Sequence, residues 1–174
     1  MKSVFLSAGH SDTDPGAVAN GRREADIAVA FRNMVAFYLQ RAGVPHELDG
    51  TGTTNLPLAI AAVRARYHPI GVEFHCNAAA LPSATGVETL SGPKDMVLGG
   101  RICAALSGAL GIRNRGAKPE SAGQHHRLAF VRAGGIIVEL FFLTNPRDLA
   151  AYDARCWVAA RDVAQVLIEA AEAP

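Results

Sequence analysis

The chain has 174 residues, 49% of them hydrophobic and 19% charged, with a formal net charge of +1. That length fits one domain with a buried core, and the composition excludes a disordered chain. The near-neutral balance, with no basic run, excludes electrostatic capture of nucleic acid.

In chain order, Lys2 to Ser7 reads as a near-continuously apolar strand, as expected at the centre of a sheet. Arg22 to Ala42 reads as a helix, because Ile27, Phe31, Met34, Val35 and Tyr38 recur at helical spacing and Gly43 follows as a stop. Val44 to Leu48 is a short strand and "DGTGTTN" a loop. Leu56 to Tyr67 is helical, with Pro69 beyond its end, and Ile70 to His75 is a third strand. Gly86 to Leu90 is a fourth strand and Asp95 to Leu110 a third helix. Ile112 to Gln124 reads as irregular and polar. Leu128 to Arg132 and Gly135 to Leu140 read as two more strands, "TNPRD" as a turn, and Ala154 to Ala171 as a long amphipathic closing helix. Strands alternating with helices predict a single α/β domain. Its sheet should be mixed but mostly parallel, of about six strands, with helices on both faces. No repeat or linker composition divides residues 1–174.

The three cysteines, Cys76, Cys103 and Cys156, form no C-x-x-C pair and are odd in number, which predicts free thiols rather than a disulfide framework. No apolar run has the length of a membrane span. Val4 to Leu6 is too short for the apolar region of a signal peptide, so no export address is expected within this chain.

In an open α/β sheet, sites form at the carboxyl ends of the strands. The first strand ends at "SAGH" with His10, the third at "GVEFH" with His75, and "GGIIVEL" ends with Glu139. Glu24 lies in the first turn of the first helix, which starts on the side of the sheet where His10 emerges. Two imidazoles and a carboxylate can therefore converge, with a second carboxylate left over. Two histidines and a glutamate suit a catalytic zinc with an open position, and a remaining glutamate suits general-base work beside it. Each residue also has an ordinary reading. His10 can cap a loop, His75 can be a hydrogen-bonded core histidine, and Glu24 can be a solvated residue favoured by the helix dipole. Glu139 is harder to explain that way, since a carboxylate on so apolar a strand needs a partner or a task.

At these residues the chain resembles the zinc-dependent N-acetylmuramoyl-L-alanine amidases of the Amidase_3 type, found in bacterial cell-wall hydrolases and phage endolysins. The family segment G-H-x-x-x-D-x-G-A stands here as Gly9 to Ala17. Glu24 opens the first helix, "EFHCNA" stands where the family has S-x-H-x-N-A, and "TGVETL" matches a G-x-E segment. Asn114-Arg115-Gly116 and "VELFFLTN", Val138 to Asn145, complete the series in family order. The resemblance implies zinc ligands at His10, Glu24 and His75 and a catalytic glutamate at Glu139. It implies one zinc per chain and hydrolysis of the amide between N-acetylmuramic acid and L-alanine of the peptidoglycan stem peptide. Departures occur where Ser7-Ala8 replaces an acidic lead-in, where Ser11 and Phe141 replace glycines, and where "EFH" replaces a small-residue lead-in.

Asp12, Asp14 and Glu73 are candidate acceptors behind the histidines. His125 and His126 read as a solvated loop pair able to line a groove, His46 and His68 as surface residues, and Arg113 and Arg115 as solvated cations able to meet stem-peptide carboxylates. The expected partner is peptidoglycan, with no nucleic acid and no membrane span, and the expected state is a monomer. Cytoplasmic accumulation before release fits a phage enzyme. The rival readings are a zinc carboxypeptidase acting on stem peptides and a catalytically silent wall-binding domain of the same fold. A Rossmann-like nucleotide binder lacks its G-x-G-x-x-G.

Overall fold

The structure, a computed structural model, describes residues 1–11, 13–122 and 128–174. Its elements are β1 Val4–Ala8, β2 Val18–Ala19, β3 Arg22–Arg23, α1 Glu24–Arg41, β4 His46–Leu48, α2 Leu58–Ala65 and β5 Ile70–Asn77. There follow β6 Val87–Ser91, α3 Met96–Leu110, β7 Asn114–Pro119, α4 Ala129–Arg132, β8 Ile136–Phe142 and α5 Pro146–Glu172. Six strands form one sheet in the order β4-β1-β5-β8-β6-β7, while β2 and β3 form a separate small hairpin. All neighbours in the large sheet are parallel except β6 and β8. This is the mixed, mostly parallel α/β fold expected from the sequence.

Strand alternation divides the core into two layers. Val4 and Leu6 of β1, Val72 and Phe74 of β5, and Val138 and Leu140 of β8 point toward α1, α3 and α5. On α1, Ile27, Phe31, Val35 and Leu39 recur at four-residue spacing and meet that layer, with Met34 and Tyr38 half-buried beside it. Phe5 and Ile137 point the other way, toward Ala61 and Ala65 of α2 and Phe130 of α4. Among the described residues the helices on that second face are short, one of eight residues and one of four, which leaves room for a cavity. Among the described residues no helix is long and apolar enough to cross a membrane. Cys76 and Cys103 are buried and Cys156 is half-buried, all three free.

Three local readings change. Leu128 to Arg132 is not a strand: Ala129–Arg132 is one helical turn, and both Phe130 and Val131 are buried, which a half-covered strand would not allow. Gly135 makes room for this turn, since a Cβ there would lie 2.3 Å from the Phe130 ring. The polar stretch after Ile112 contains an edge strand, β7, parallel to β6. None of its residues is fully buried, so it carries no hydrophobic alternation to read. "TNPRD" is the start of α5: the Asn145 side chain accepts hydrogen bonds from the backbone N–H groups of Arg147 and Asp148, and Pro146 occupies the first turn.

Asp148 ties this helix start to the sheet. Its buried carboxylate accepts from Thr85 Oγ1 at 2.6 Å, from the Gly86 N–H at 3.0 Å and from the Phe142 N–H at 3.2 Å. Asp148→Ala strands those buried donors. It is expected to lower unfolding stability by about 2 kcal/mol or more, read from urea denaturation.

Candidate active site

The site lies on the thinly covered face. Its cavity of about 710 Å³ is lined by His10, Glu24, His75, Glu88, Arg115 and Glu139, among others. His10 follows β1 with a left-handed backbone, φ +64°. The Asn55 side chain holds this turn by donating to the carbonyl of Ala8 at 2.8 Å and to that of His10. Glu24 is the first residue of α1, delivered by the β2–β3 hairpin. Its Oε2 accepts from the Ala17 N–H at 2.9 Å and its Oε1 from the Cys76 N–H at 3.0 Å. His75 projects from β5 on the same face.

The three converge. Glu24 Oε1 lies 3.1 Å from His10 Nε2 and 3.0 Å from His75 Nδ1. The two rings meet edge to face, with centroids 5.1 Å apart. One potential ligand atom from each of the three residues lies within 4.8 Å of the others. The outer nitrogens have acceptors: Asp14 Oδ2 is 3.1 Å from His10 Nδ1, and Glu73 Oε1 is 3.1 Å from His75 Nε2. Asp12, His125 and His126 lie outside the described residues.

Two glycines keep the cluster this tight. A Cβ on Gly9 would lie 2.1 Å from His75 Cε1, and one on Gly16 would lie 2.6 Å from both Glu24 Oε2 and His10 Cδ2. Gly9→Ala is therefore expected to push the His75 ring aside, read as a displaced His75 imidazole signal in an NMR spectrum, with the far-UV spectrum unchanged.

The electrostatics favour two imidazoles around one carboxylate. Burial raises the Glu24 carboxyl, but hydrogen bonds with His10 and His75 outweigh it and hold the group well below the usual carboxylate range. The hydrogen bond with Glu24 raises His10. Burial lowers His75, yet its hydrogen bonds with Glu24 and Glu73 leave it well above the ordinary imidazole value. Two imidazole nitrogens and a carboxylate oxygen, without thiolate, form a donor set suited to Zn²⁺.

Glu139 stands apart from this set. It lies in the middle of β8 rather than at its end, because the strand continues to Phe142. In register it faces His75 of β5 on one side and Glu88 of β6 on the other. Its Oε2 is buried, with no hydrogen-bond partner among the described residues. Burial pushes its carboxyl up to about 7, and the neighbouring charges of Glu24 and Glu88 add to the rise.

A charged wall completes the cavity. Glu88 accepts from Asn77 Nδ2 at 3.0 Å, from Lys118 Nζ at 2.6 Å and from Arg115 Nε. The Arg115 guanidinium sits over the Phe142 ring, 5.0 Å from its centroid. Arg115 is thus in the cavity wall, while Arg113 is exposed elsewhere. Sequence reading missed Asn55, Lys118 and the pairing role of Glu88. Arg115 and Lys118 stand on the edge strand β7, which had no apolar pattern to announce it. His46 and His68 are half-buried rather than on the surface: His46 bonds the Val44 carbonyl, and His68 stacks on Phe5.

Comparison with known proteins places these residues in a family context. The N-acetylmuramoyl-L-alanine amidase family model, Amidase_3, matches residues 4–169. A solved structure from Neisseria meningitidis, proposed as an N-acetylmuramoyl-L-alanine amidase, superposes with a TM-score of 0.90 at 42% identity, covering 97% of this chain and 95% of that one. The catalytic domain of CwlV, an N-acetylmuramoyl-L-alanine amidase from Bacillus (Paenibacillus) polymyxa var. colistinus, shares the fold with a TM-score of 0.85 at 22% identity, each chain 98% covered. The Bacillus subtilis N-acetylmuramoyl-L-alanine amidase LytC is 25% identical over 154 residues, 84% of this chain and 30% of that protein.

Proposed function

This chain belongs to the Amidase_3 family of N-acetylmuramoyl-L-alanine amidases, and from that premise we propose how it acts. It hydrolyses the amide between N-acetylmuramic acid and the L-alanine of the peptidoglycan stem peptide, with zinc held by His10, Glu24 and His75. Residues 1–174 work as one catalytic domain and as a monomer. The observation that carries this reading is the meeting of two imidazoles and a carboxylate, with ligand atoms within 4.8 Å of one another, beside a second carboxyl group, Glu139, whose Oε2 has no hydrogen-bond partner among the described residues.

Zinc bound there supplies a Lewis acid that polarises the amide carbonyl and makes water acidic enough to attack near neutral pH. The chain's own residues do the rest. Asp14 orients the His10 imidazole through its outer nitrogen. Glu139 takes a proton from the attacking water as the new C–O bond forms. It returns that proton to the amide nitrogen as the C–N bond breaks, leaving a lactyl carboxylate and a free alanine amine. A carboxyl raised to about 7 is matched to both halves of that transfer at neutral pH. Arg115 and Lys118 give the wall beside it a cationic lip for the acidic groups of the stem peptide.

The test is a digest of purified peptidoglycan with and without a chelator, followed by identification of the new end groups. The expected products are intact stem peptides with free N-terminal L-alanine, formed only without chelator. Stem peptides shortened at their carboxyl end would identify a carboxypeptidase. No new ends from a folded, zinc-loaded chain would identify a silent wall-binding domain.

A further inference from the structure

Behind His75 runs a line of buried polar groups that the reaction above does not use directly. Glu73 Oε1 meets His75 Nε2 at 3.1 Å, and Glu73 Oε2 accepts from Ser7 Oγ at 2.9 Å. Ser7 Oγ also lies 3.0 Å from Asp49 Oδ2, which accepts from the Ala8 N–H at 3.1 Å. Asp49 in turn is paired with Arg32. Ser7, Glu73, Asp49 and Arg32 are each no more than 1% exposed. Ser7 and Glu73 are direct cross-strand partners, one on β1 and the other on β5.

A carboxylate this deeply buried needs a partner or a task. No lysine or arginine reaches Glu73 among the ion pairs of the described residues; its only charge-bearing partner is His75. The Ser7 hydroxyl has a single proton and two carboxylates in reach, so it serves one of them at a time. The imidazole N–H is then the donor that Glu73 requires. Glu73 thereby engages His75 Nε2 and leaves Nδ1 as the nitrogen turned toward Glu24 and the cavity.

We infer that Glu73 is the positioning residue for His75, and that its cross-strand partner Ser7, with Asp49 and Arg32 behind it, fixes the carboxylate that selects which imidazole nitrogen faces the metal position. The inference rests on the proposed zinc site. The geometry also makes the strand that bears the carboxylate interchangeable. The His75 ring lies against Gly9, and Ser7 projects from the same strand face two residues earlier. Ser7 Oγ already touches the Glu73 carboxylate, so an acidic side chain at position 7, with Glu73 shortened to serine, is expected to reach toward the same nitrogen.

The test is zinc affinity at one pH, read by competition with a chelating dye, for the parent, Glu73→Gln, Glu73→Ser and the double variant Ser7→Asp/Glu73→Ser. Thermal melts of the metal-free chains confirm that each is folded. Glu73→Gln, which keeps size, and Glu73→Ser are expected to weaken zinc binding roughly 10- to 100-fold. The double variant, which moves the carboxylate across the strand pair, is expected to recover most of that loss. Unchanged affinity in both single variants would overturn the inference. So would a loss in Glu73→Ser that Ser7→Asp leaves unrepaired, since filling rather than a carboxylate at Nε2 would then set the affinity. The parent titration separates the two levels: a parent that binds no zinc removes the metal site itself, whereas the variant-to-parent ratio judges Glu73 alone.

Discussion

Glu139→Gln is expected to slow peptidoglycan cleavage roughly 10²- to 10⁴-fold while zinc stays bound, the usual worth of general acid–base catalysis. The amide keeps the size and polarity of the side chain but cannot take a proton from water. The parent carboxylate has no hydrogen-bond partner at Oε2 among the described residues, so the substitution breaks no structural contact there. Burial already disfavours its charged form, and a neutral amide relieves that cost. Stability should therefore hold or rise as activity collapses. Glu24→Gln should behave in the opposite way. Glu24 touches both imidazoles through one oxygen and the Ala17 N–H through the other, so a neutral amide weakens the metal site itself. Its activity should recover in part when zinc is added in excess. Zinc analysis and cleavage rates on the two folded variants decide the assignment. If Glu139→Gln loses zinc and Glu24→Gln does not, the two carboxylates are assigned the wrong way round.

Arg32→Met is expected to destabilise the fold by roughly 3–5 kcal/mol, the cost of leaving one member of a buried ion pair uncompensated. Arg32 and Asp49 are both fully buried. Arg32 also donates to the carbonyls of Gly52 and Thr54, at 3.2 and 3.0 Å, and so ties the loop that carries Asn55 to α1. Asn55 in turn holds the carbonyls of Ala8 and His10. The loss should thus appear twice, in a lowered urea midpoint and in weaker zinc binding through a loosened His10. Adding Asp49→Asn should recover part of the stability by removing the orphaned charge. A single variant as stable as the parent would show that the buried pair contributes nothing net.

These buried charges mark the limit of what the chain reveals when read linearly. His10 and His75 are legible because each follows an apolar run that ends abruptly, and Glu24 because it opens a periodic helix. The layered sheet is legible for the same reason: apolar strands alternate with amphipathic helices. Arg32 is not, because a cation on a helix normally lies on the solvated face, and only the returning loop at Gly52 to Asn55 buries it. Glu73 stands in the sequence as one of three possible acceptors. Its choice depends on the cross-strand register with Ser7, which no local pattern encodes. Glu139 is found by its apolar strand but misplaced to the strand end, because Phe142 extends the strand by pairing with Asn77 of β5. Asn145 and Pro146 form a helix start that reads equally well as a turn, since both use the same residues to satisfy backbone groups.

The central claim is that His10, Glu24 and His75 hold the metal on which cleavage depends. Its most direct measurement is the zinc content of the purified, folded chain, followed through chelation and reloading alongside the cleavage rate. The account predicts about one zinc per chain, loss of cleavage on chelation, return of cleavage on adding zinc, and little zinc retained by His75→Ala. A metal-free chain that cleaves peptidoglycan at the full rate would contradict it.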